Sequence, residues 1–217
     1  MPHPLWPIYD LRLRTERLEL RLPNENEIAE LCAVAQAGIH PPDEMPFGFA
    51  WTDKPSPRFE REYIQWHWKA RAEWTPAAWH LELGVFLEGR PIGCQELSAR
   101  DFAVVRRVGT GSWLGRAHQG QGLGKEMRTA VLALAFDGLH AEIAETEAFV
   151  DNPASSGVSR ALGYAPNGTG RMAPRSVARD SFRFRMTREL WLGRPRPPVV
   201  IEGLDACRDL FGPGAAD

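Results

Sequence analysis

Residues 79–114 most constrain the fold, because they predict three consecutive β-strands joined by tight turns. Residues 79–87 (WHLELGVFL) place an apolar side chain at every second position, which is typical of a strand with one buried face. The turn at residues 88–91 (EGRP) and the return over residues 92–97 predict a hairpin, and a third strand is predicted over residues 107–114. Strands joined by tight turns pair antiparallel, so the sheet must be antiparallel in part.

Further elements flank this run and predict one mixed sheet with helices on both faces, an α/β (α+β) architecture. The helices are predicted over residues 25–37 with Asn24 as the cap, 58–73 with Tyr63, Trp66 and Ala70 inward, 125–136 with Met127, Val131 and Leu134 inward, and 152–162. The remaining strands are predicted over residues 16–22, 142–150 and 181–190. Residues 41–57 are too rich in proline for either structure, and their aromatic side chains favour a functional loop over a disordered one.

One domain is expected over residues 1–217, with a core at about residues 11–191 and a tail rich in proline and glycine over residues 193–217. The net charge of −2 offers no basic field to nucleic acid, and the longest apolar run, residues 130–136, is too short for a membrane span. The chain shows no secretory signal pattern. Its three cysteines are widely spaced and form no Cys-x-x-Cys pair, so we expect a cytoplasmic protein without disulfides or a metal site.

The glycine-rich octet HQGQGLGK, residues 118–125, lies between the third strand and the next helix and indicates a phosphate-binding turn. A P-loop anchored on Gly124 would need glycine at Gln119 and serine or threonine at Glu126, so it is excluded. A dinucleotide fingerprint is excluded because the third glycine comes one residue early and no acidic residue follows at the required distance. The remaining interpretation is Gln-x-x-Gly-x-Gly, formed by Gln119, Gly122 and Gly124, whose backbone N–H groups would surround an anion at the helix start.

Three separated stretches agree with one known family when they are taken together. They are residues 15–21 (TERLELR), residues 112–115 (SWLG) with the glycine turn that follows, and residues 151–155 (DNPAS) followed by residues 162–164 (LGY). With these motifs the chain resembles the GNAT superfamily of acyl-CoA-dependent N-acyltransferases, and within it the ribosomal-protein N-terminal acetyltransferase branch. It is also similar to actinobacterial members linked to succinyl-CoA.

The resemblance implies the GNAT fold, a twisted and mostly antiparallel sheet that splays between the family's fourth and fifth strands and holds acyl-CoA in the gap. An amine would attack the thioester directly, in a ternary complex. The pyrophosphate would be held by Gln119, Gly120, Gln121, Gly122, Leu123 and Gly124, with Lys125 either adding charge or lying in solvent. The pantetheine arm would contact the backbone at Trp113 and Leu114 and the side chain of Asn152. A backbone N–H near Leu114 would polarise the thioester carbonyl, and Ser155 would protonate the departing sulfur; Asn152 and Ser155 also fit a plain helix N-terminus.

The sequence departs from the family pattern at the general base. The branch often carries Glu-Ile-Gly-Tyr-Trp on its fourth strand, whereas residues 109–113 are GTGSW, so Gly109 and Ser112 replace the glutamate and the tyrosine. Solvent exposure is expected for the other polar groups near the central strands, His80, Glu82, Glu96 and His118. A water chain, or an acceptor that arrives deprotonated, would also serve.

Small side chains at residues 109–112 leave room for an acyl group larger than acetyl, so acetyl-CoA and succinyl-CoA are both candidate donors. Gln95, Arg106 and Arg107 could approach a carboxylated acyl group, although the two arginines are expected on the solvent face. Phe47 and Trp51 of the proline-rich loop would either wall the acceptor site or cover the core.

The predicted activity is N-acyl transfer to a primary amine on a protein N-terminus, a lysine or a small molecule. Two alternatives remain open. One is a catalytically silent acyl-CoA-binding protein, which the missing glutamate favours, and the other is an acetyltransferase for an antibiotic or a polyamine. The number of subunits stays open, a homo-oligomer included.

Overall fold

The computed structural model describes residues 3–212, which form one open sheet of nine strands surrounded by six helices. The strands are β1 (Arg12–Arg14), β2 (Leu18–Arg21), β3 (Ala78–Leu87), β4 (Arg90–Arg100), β5 (Arg107–Leu114), β6 (Ile143–Phe149), β7 (Ala165–Met172), β8 (Arg179–Thr187) and β9 (Val200–Glu202). The helices are α1 (Glu25–Ala37), α2 (Arg58–Ala72), α3 (Phe102–Val105), α4 (Leu123–Ala133), α5 (Pro153–Ala161) and α6 (Arg188–Leu192). The strand order across the sheet is β7-β8-β6-β5-β4-β3-β2-β1-β9.

Neighbouring strands pair antiparallel except β5 and β6, which run parallel, so the predicted mixed sheet is confirmed. The β3–β4 hairpin forms as predicted, and β5 has the predicted bounds. Helix α1 begins at a capping box in which the Asn24 side chain accepts a bond from the Glu27 N–H and the Glu27 carboxylate accepts one from the Asn24 N–H.

The segment expected to be a tail contributes to the sheet and the core. Strand β9 pairs antiparallel with β1 at the sheet edge. Beyond it, Cys207 and Phe211 are fully buried, and the indole N–H of Trp79 donates to the Phe211 carbonyl at 3.1 Å. Three aromatic rings, those of Trp74, Trp79 and Phe211, lie in mutual contact there. Local sequence patterns did not predict this contact, because its partners lie about 130 residues apart.

The buried face of α2 differs from the predicted one. Phe59, Tyr63 and His67, spaced four residues apart, are buried, whereas Trp66 is 44% exposed. Histidine is polar, so the apolar pattern alone places Trp66 on the buried face instead of its neighbour His67.

Two clusters of buried side chains lie on the two faces of the sheet. The larger includes Val131 of α4, Leu134 of the π-helical segment Leu134–Gly138 that continues α4, and β3 residues such as Leu81. Met127, Val131 and Leu134 are all buried, so the inward residues predicted for this helix are confirmed. The smaller joins α1 and α2 to Cys94 and Trp113 of the central strands. Among residues 3–212, no helix is long and apolar enough to cross a membrane.

Strands β5 and β6 separate soon after they begin. Their rungs run only from Arg107/Ile143 to Gly109/Glu145, although β5 continues to Leu114 and β6 to Phe149. At the point of separation, the Thr146 hydroxyl donates to the Thr110 carbonyl at 3.1 Å. The resulting opening, here called the β5–β6 gap, widens toward the carboxyl ends of both strands.

Burial of His67 makes stability depend on pH. Burial lowers its pKa from 6.5 to about 4, so between these values the unfolded chain binds a proton that the folded chain excludes. The contribution of neutral His67 to the free energy of unfolding is therefore fully present above pH 6.5. It falls by roughly 1 kcal/mol per pH unit as the pH drops toward 4. We expect His67→Leu to flatten this dependence in urea unfolding between pH 4 and 6.5. A slope equal to that of the wild type would contradict the assignment, since carboxylates contribute equally to both proteins.

Candidate active site

The octet forms a turn that leaves several backbone N–H groups without a partner. A short 3-10 turn follows β5, and α4 begins at Leu123 with Gly122 as its cap residue. Gly120 and Gly122 have φ angles of 74° and 81°, which glycine adopts without strain. Within the described chain, the N–H groups of residues 120–124 donate to no protein acceptor. Together with the positive end of the helix dipole, they can hold an anion.

Gln119 braces this turn instead of pointing into it. Its side-chain amide donates to the carbonyls of Ile39 and Leu114, both at 2.8 Å, and its backbone N–H donates to Arg116. The side chain of Gln121 donates to the Ala117 carbonyl at 2.8 Å. Both amide side chains therefore shape the turn, and the free donors are the backbone groups that follow Gln119.

Glu126 fixes the start of α4 to the turn between β1 and β2. Its carboxylate accepts bonds from the Thr15 hydroxyl at 2.6 Å, the Arg17 N–H at 2.9 Å and the Arg17 Nε at 2.8 Å. Burial opposes ionisation of Glu126, but these bonds outweigh it and lower its pKa. Because Arg17 also donates to the Gln121 carbonyl at 3.2 Å, the TERLELR stretch holds the glycine turn in place.

A second helix N-terminus lies at the other side of the β5–β6 gap. Helix α5 starts just after β6, with Pro153 in its first turn and the Asn152 side chain accepting a bond from the Ser155 N–H at 3.0 Å. The predicted cap is therefore present, while the half-buried Ser155 hydroxyl bonds to none of residues 3–212. A Cβ on Gly124 would lie 3.6 Å from Val158, so the first turn of α4 lies beside the second turn of α5. Lys125 is exposed beside them.

The ladder between β4 and β5 determines which backbone groups face the gap. The Gly115 N–H donates to the Ile92 carbonyl at 2.9 Å, and antiparallel pairing alternates sides with each residue. The N–H of Trp113 is therefore directed at β4, whereas those of Ser112 and Leu114 face the gap. Contrary to the expectation, the Trp113 N–H therefore faces away from the gap. The Leu114 N–H faces the gap, in agreement with the expectation for that residue.

A cavity of about 510 Å³ lies on the α1–α2 face of the sheet, next to β5. We call it the aromatic cavity; its lining includes Phe47, Phe49, Trp51, Phe59, Tyr63, Trp66, Trp113, Glu82, Glu96, Gly111 and Ser112. Phe47 and Trp51 lie 5.2 Å apart by ring centroids, and Trp51 lies 6.0 Å from Trp113. The proline-rich loop thus lines a cavity, and its Phe47 and Trp51 also pack against the smaller buried cluster.

Two arginines of the β7–β8 hairpin, which lies beyond the gap, bond to the proline-rich loop. Arg175, between β7 and β8, donates to both carboxylate oxygens of Asp53, at 2.5 and 2.6 Å. Arg179 donates to the Met45 carbonyl at 2.6 Å and pairs with Asp151. The loop therefore bridges the helices on one side of the gap and the β7–β8 hairpin on the other.

Glu82 and Glu96 line the aromatic cavity and form a polar cluster with His80 beside it; all three side chains are half-buried, whereas they were expected to face solvent. His80 Nε2 lies 2.9 Å from Glu82 Oε2, and His80 Nδ1 lies 3.8 Å from Glu96 Oε1. Burial and the nearby Glu82 charge raise the pKa of Glu96, despite the opposing effect of His80. The pKa of His80 is raised, because its bond to Glu82 and the Glu96 charge outweigh burial. His118 lies elsewhere, in the turn after β5.

Gln95 and Arg128 lie on the opposite face of the sheet from this cavity. Gln95, expected near a carboxylated acyl group, is fully buried, donates to the Gly111 carbonyl at 2.7 Å and lies 3.5 Å from the Arg128 Nε. Arg128, only 4% exposed, donates to the Ser112 and Thr146 hydroxyls at 3.0 and 3.1 Å. It therefore crosses the β5–β6 gap at its narrow end. Arg107 is exposed, as expected, and lies 3.7 Å from Glu145.

The acetyltransferase (GNAT) domain family matches residues 17–165, more than half of the chain. The chain belongs to the GNAT acetyltransferase family. The splay expected between the fourth and fifth strands of a GNAT sheet corresponds to the gap between β5 and β6.

Solved GNAT structures share this fold at low sequence identity. RimJ from Mycobacterium smegmatis, in complex with CoA-disulfide, is 17% identical with a TM-score of 0.67, over 87% of this chain and 91% of that one. A GCN5-related N-acetyltransferase from Brucella melitensis is 20% identical with a TM-score of 0.66, over 83% and 80%. RimL, a ribosomal L7/L12 alpha-N-protein acetyltransferase in complex with coenzyme A, is 16% identical with a TM-score of 0.62, over 81% and 97%.

Three features of this GNAT site were missed in the sequence. Arg128 lies among apolar residues of an amphipathic helix, where a cation gives no local signal. The polar cluster joins residues of two strands, and only the cross-strand register of Glu82 and Glu96 brings them together. The contact of Arg17 with Glu126 spans 109 positions, although the charge of Glu126 had already excluded a P-loop.

Proposed function

We propose that this protein is an acyl-CoA N-acyltransferase that transfers an acyl group to a primary amine. The observation that carries the proposal is the β5–β6 gap, which has two helix N-termini at its wide end and the aromatic cavity beside its narrow part. RimL and RimJ, whose structures contain coenzyme A or its disulfide, support coenzyme A as the carrier. RimL, an alpha-N-protein acetyltransferase, also favours a protein N-terminus as one class of acceptor, beside small amines.

In this proposal the backbone N–H groups of residues 120–124 bind the pyrophosphate, with Lys125 adding charge and Gln119 bracing the turn. The pantetheine arm contacts the Leu114 backbone and Asn152. The Ser155 hydroxyl, which has no partner in residues 3–212, protonates the departing thiolate. When bound, the thioester supplies the activated acyl carbon for attack by the amine.

Thiol release from acyl-CoA, measured with a panel of primary amines, tests the activity. We expect steady-state turnover, and Ser155→Ala should lower kcat while leaving the calorimetric Kd for acyl-CoA unchanged. Binding of acyl-CoA without turnover across the whole panel would instead establish the silent binding protein. Absence of binding would overturn both.

The acyl group is open between acetyl and a larger one such as succinyl, and Arg128 favours the larger. Its guanidinium is buried at the narrow end of the gap, where its bonds are to neutral oxygens, among them the Gln95 Oε1 at 3.5 Å. The Glu96 carboxylate acts on Arg128 from the other face of the sheet without bonding to it, and a guanidinium pairs bidentately with a carboxylate in direct contact. An acyl chain that ends in a carboxylate would supply that contact.

Arg128→Met should therefore lower kcat/KM for succinyl-CoA by about 30-fold, or ~2 kcal/mol, because a charged hydrogen bond is lost. Its kcat/KM for acetyl-CoA should change far less, and thermal melting reports any loss of folding. Arg107→Met, the same change at an exposed arginine of β5, serves as the control. Equal losses for both donors would show that Arg128 serves the fold alone.

A further inference from the structure

The walls of the aromatic cavity suit a flat or bulky apolar group. Trp51 contacts the rings of Phe47, Phe59, Tyr63 and Trp113, all with centroids within 6.0 Å of its own. Aromatic side chains arranged in this way bury apolar ligands and attract cations through their ring faces. At about 510 Å³, the cavity has the size of a small-molecule site.

The charged residues that line the cavity are Lys54 and Lys69 against Glu62, Glu82 and Glu96, and two of the three carboxylates belong to the polar cluster. At the rim, Lys54 pairs with Glu62, and Arg58 bonds to the same carboxylate at 2.5 Å, so this acid is compensated. Burial keeps His67 neutral near pH 7, since its pKa is about 4. His80 is the single basic group of the polar cluster and faces two carboxylates, those of Glu82 and Glu96. A cationic ligand is therefore attracted to the polar cluster.

Glu96 lies at the junction of the aromatic cavity and the gap. Its register partner in β5 is Gly111, where a Cβ would lie 2.7 Å from Glu96 Oε2, so the glycine leaves the space that the carboxylate occupies. Glu96 lines both the aromatic cavity and a second cavity of about 560 Å³ that includes Gly109, Thr110 and Thr146. These residues mark the point where β5 and β6 part.

We propose that Glu96 receives the ammonium group of an amine with an apolar, ring-sized body, and takes its proton before acyl transfer. The inference rests on the proposed function and names both its acceptor class and its base. It gives the missing glutamate of β5 a replacement on the neighbouring strand.

The proposed transfer moves two protons from the amine nitrogen. The ammonium loses one proton to the Glu96 carboxylate, and the neutral nitrogen forms a bond to the thioester carbon. As the carbon–sulfur bond breaks, the Ser155 hydroxyl gives its proton to the thiolate, and the second proton lost by the nitrogen restores that hydroxyl. The products are an amide, free thiol and one proton, which passes from Glu96 to solvent.

The surroundings of Glu96 hold its carboxylate in position. The Ser98 hydroxyl donates to Oε1 at 2.8 Å, and His80 lies 3.8 Å from the same oxygen while it bonds to Glu82. Arg128, from α4, adds a positive charge on the other face of the sheet, and His67 of α2 stands behind Glu82. The raised pKa of Glu96 brings this carboxylate closer to the value that suits a base near neutral pH. His80 is thus a positioning residue.

The acceptor class is tested by comparing phenethylamine, spermidine and a short peptide with a free N-terminus, with one acyl-CoA donor. We expect kcat/KM for phenethylamine to exceed the values for the other two by at least about 10-fold. This factor corresponds to the free energy of burying one aromatic ring against the rings of the cavity. A preference for spermidine or the peptide would overturn the inferred class while leaving the acyltransferase proposal intact. No turnover with these three, while other amines of the panel are acylated, would also overturn the inferred class; only the absence of turnover across the whole panel would overturn the acyltransferase proposal itself.

The base is tested with Glu96→Gln, which keeps the size of the side chain. We expect kcat to fall about 100-fold, with the Kd for acyl-CoA unchanged, and the acidic limb of the kcat/KM profile to disappear. Glu73→Gln, at the exposed end of α2 outside this cavity, is the matched control. His80→Gln should keep the limb but move its midpoint to higher pH, because a cation that favours ionised Glu96 is lost. Wild-type kcat and pH profile in Glu96→Gln would show that another group takes the proton.

Discussion

We expect the Gly120→Asp variant to bind acyl-CoA at least about 100-fold more weakly than the wild type. The residue opens the run of free N–H groups before α4, so an aspartate there would stand beside any bound pyrophosphate. Two like charges about 5 Å apart, at an effective dielectric constant near 20, repel by roughly 3 kcal/mol, which corresponds to about 100-fold in Kd. Titration calorimetry with the free thiol and with acyl-CoA measures the loss.

Gly89→Asp provides the matched control. Gly89, in the β3–β4 turn, has a φ of 77° against 74° for Gly120, and a Cβ would meet nothing within 4 Å at either position. The two variants therefore carry the same backbone strain and the same added charge, and only their distance from the glycine turn differs. Equal affinities in Gly120→Asp and Gly89→Asp would mean that the coenzyme does not use this turn.

The largest loss of stability is expected from Gly93→Ala. Gly93, in β4, pairs with Leu114 of β5, and a Cβ on it would lie 2.2 Å from the Trp113 carbonyl oxygen and 2.9 Å from the Leu114 Cα. Both are backbone atoms of a paired central strand, so they cannot move without breaking rungs of the ladder. We expect the free energy of unfolding to fall by about 3 kcal/mol or more, measured by urea unfolding.

The same change at Gly157 should act in the opposite direction. Gly157 lies inside α5, a Cβ there meets nothing within 4 Å, and its φ is helical. Gly157→Ala should therefore stabilise the protein by about 0.5–1 kcal/mol, because alanine loses less backbone entropy in a helix. If Gly93→Ala destabilised no more than a typical surface substitution, the close approach of β4 and β5 at this rung would be wrong.

Elements with strong local periodicity could be predicted from the sequence. The β3–β4 hairpin, β5, α1 and α4 combine alternation or helical spacing with clear punctuation, and their predicted bounds agree closely with the structure. Strand β7 (APNGTGRM) was missing from the sequence prediction because glycine, proline and polar residues give no alternation; its pairing with β8 forms it. Tertiary partners supply what the local pattern lacks.

In the candidate site, too, the local features could be predicted from the sequence and the features that depend on tertiary contacts could not. The glycine turn and the cap at Asn152 are local, and the structure contains both. The positions of Glu96 and Arg128 depend on contacts across strands. Gly111 has no side chain and so leaves the space that Glu96 occupies, and Arg128 bonds to Ser112 of β5 and Thr146 of β6 where the two strands part. Sequence alone placed Glu96 in solvent, since an acidic residue on an alternating strand is usually exposed.

The last described segment of the chain has a consequence for synthesis on the ribosome. Strand β9 completes the edge beside β1, and Phe211 closes over Trp74 and Trp79. A nascent chain that has reached only α6 therefore lacks the Phe211 ring that packs on both tryptophans and the strand that covers the edge of β1, and such apolar surface and open edges promote aggregation. The growing polypeptide can complete this core only after residue 211 has left the exit tunnel, long after every residue of the β5–β6 gap has been made.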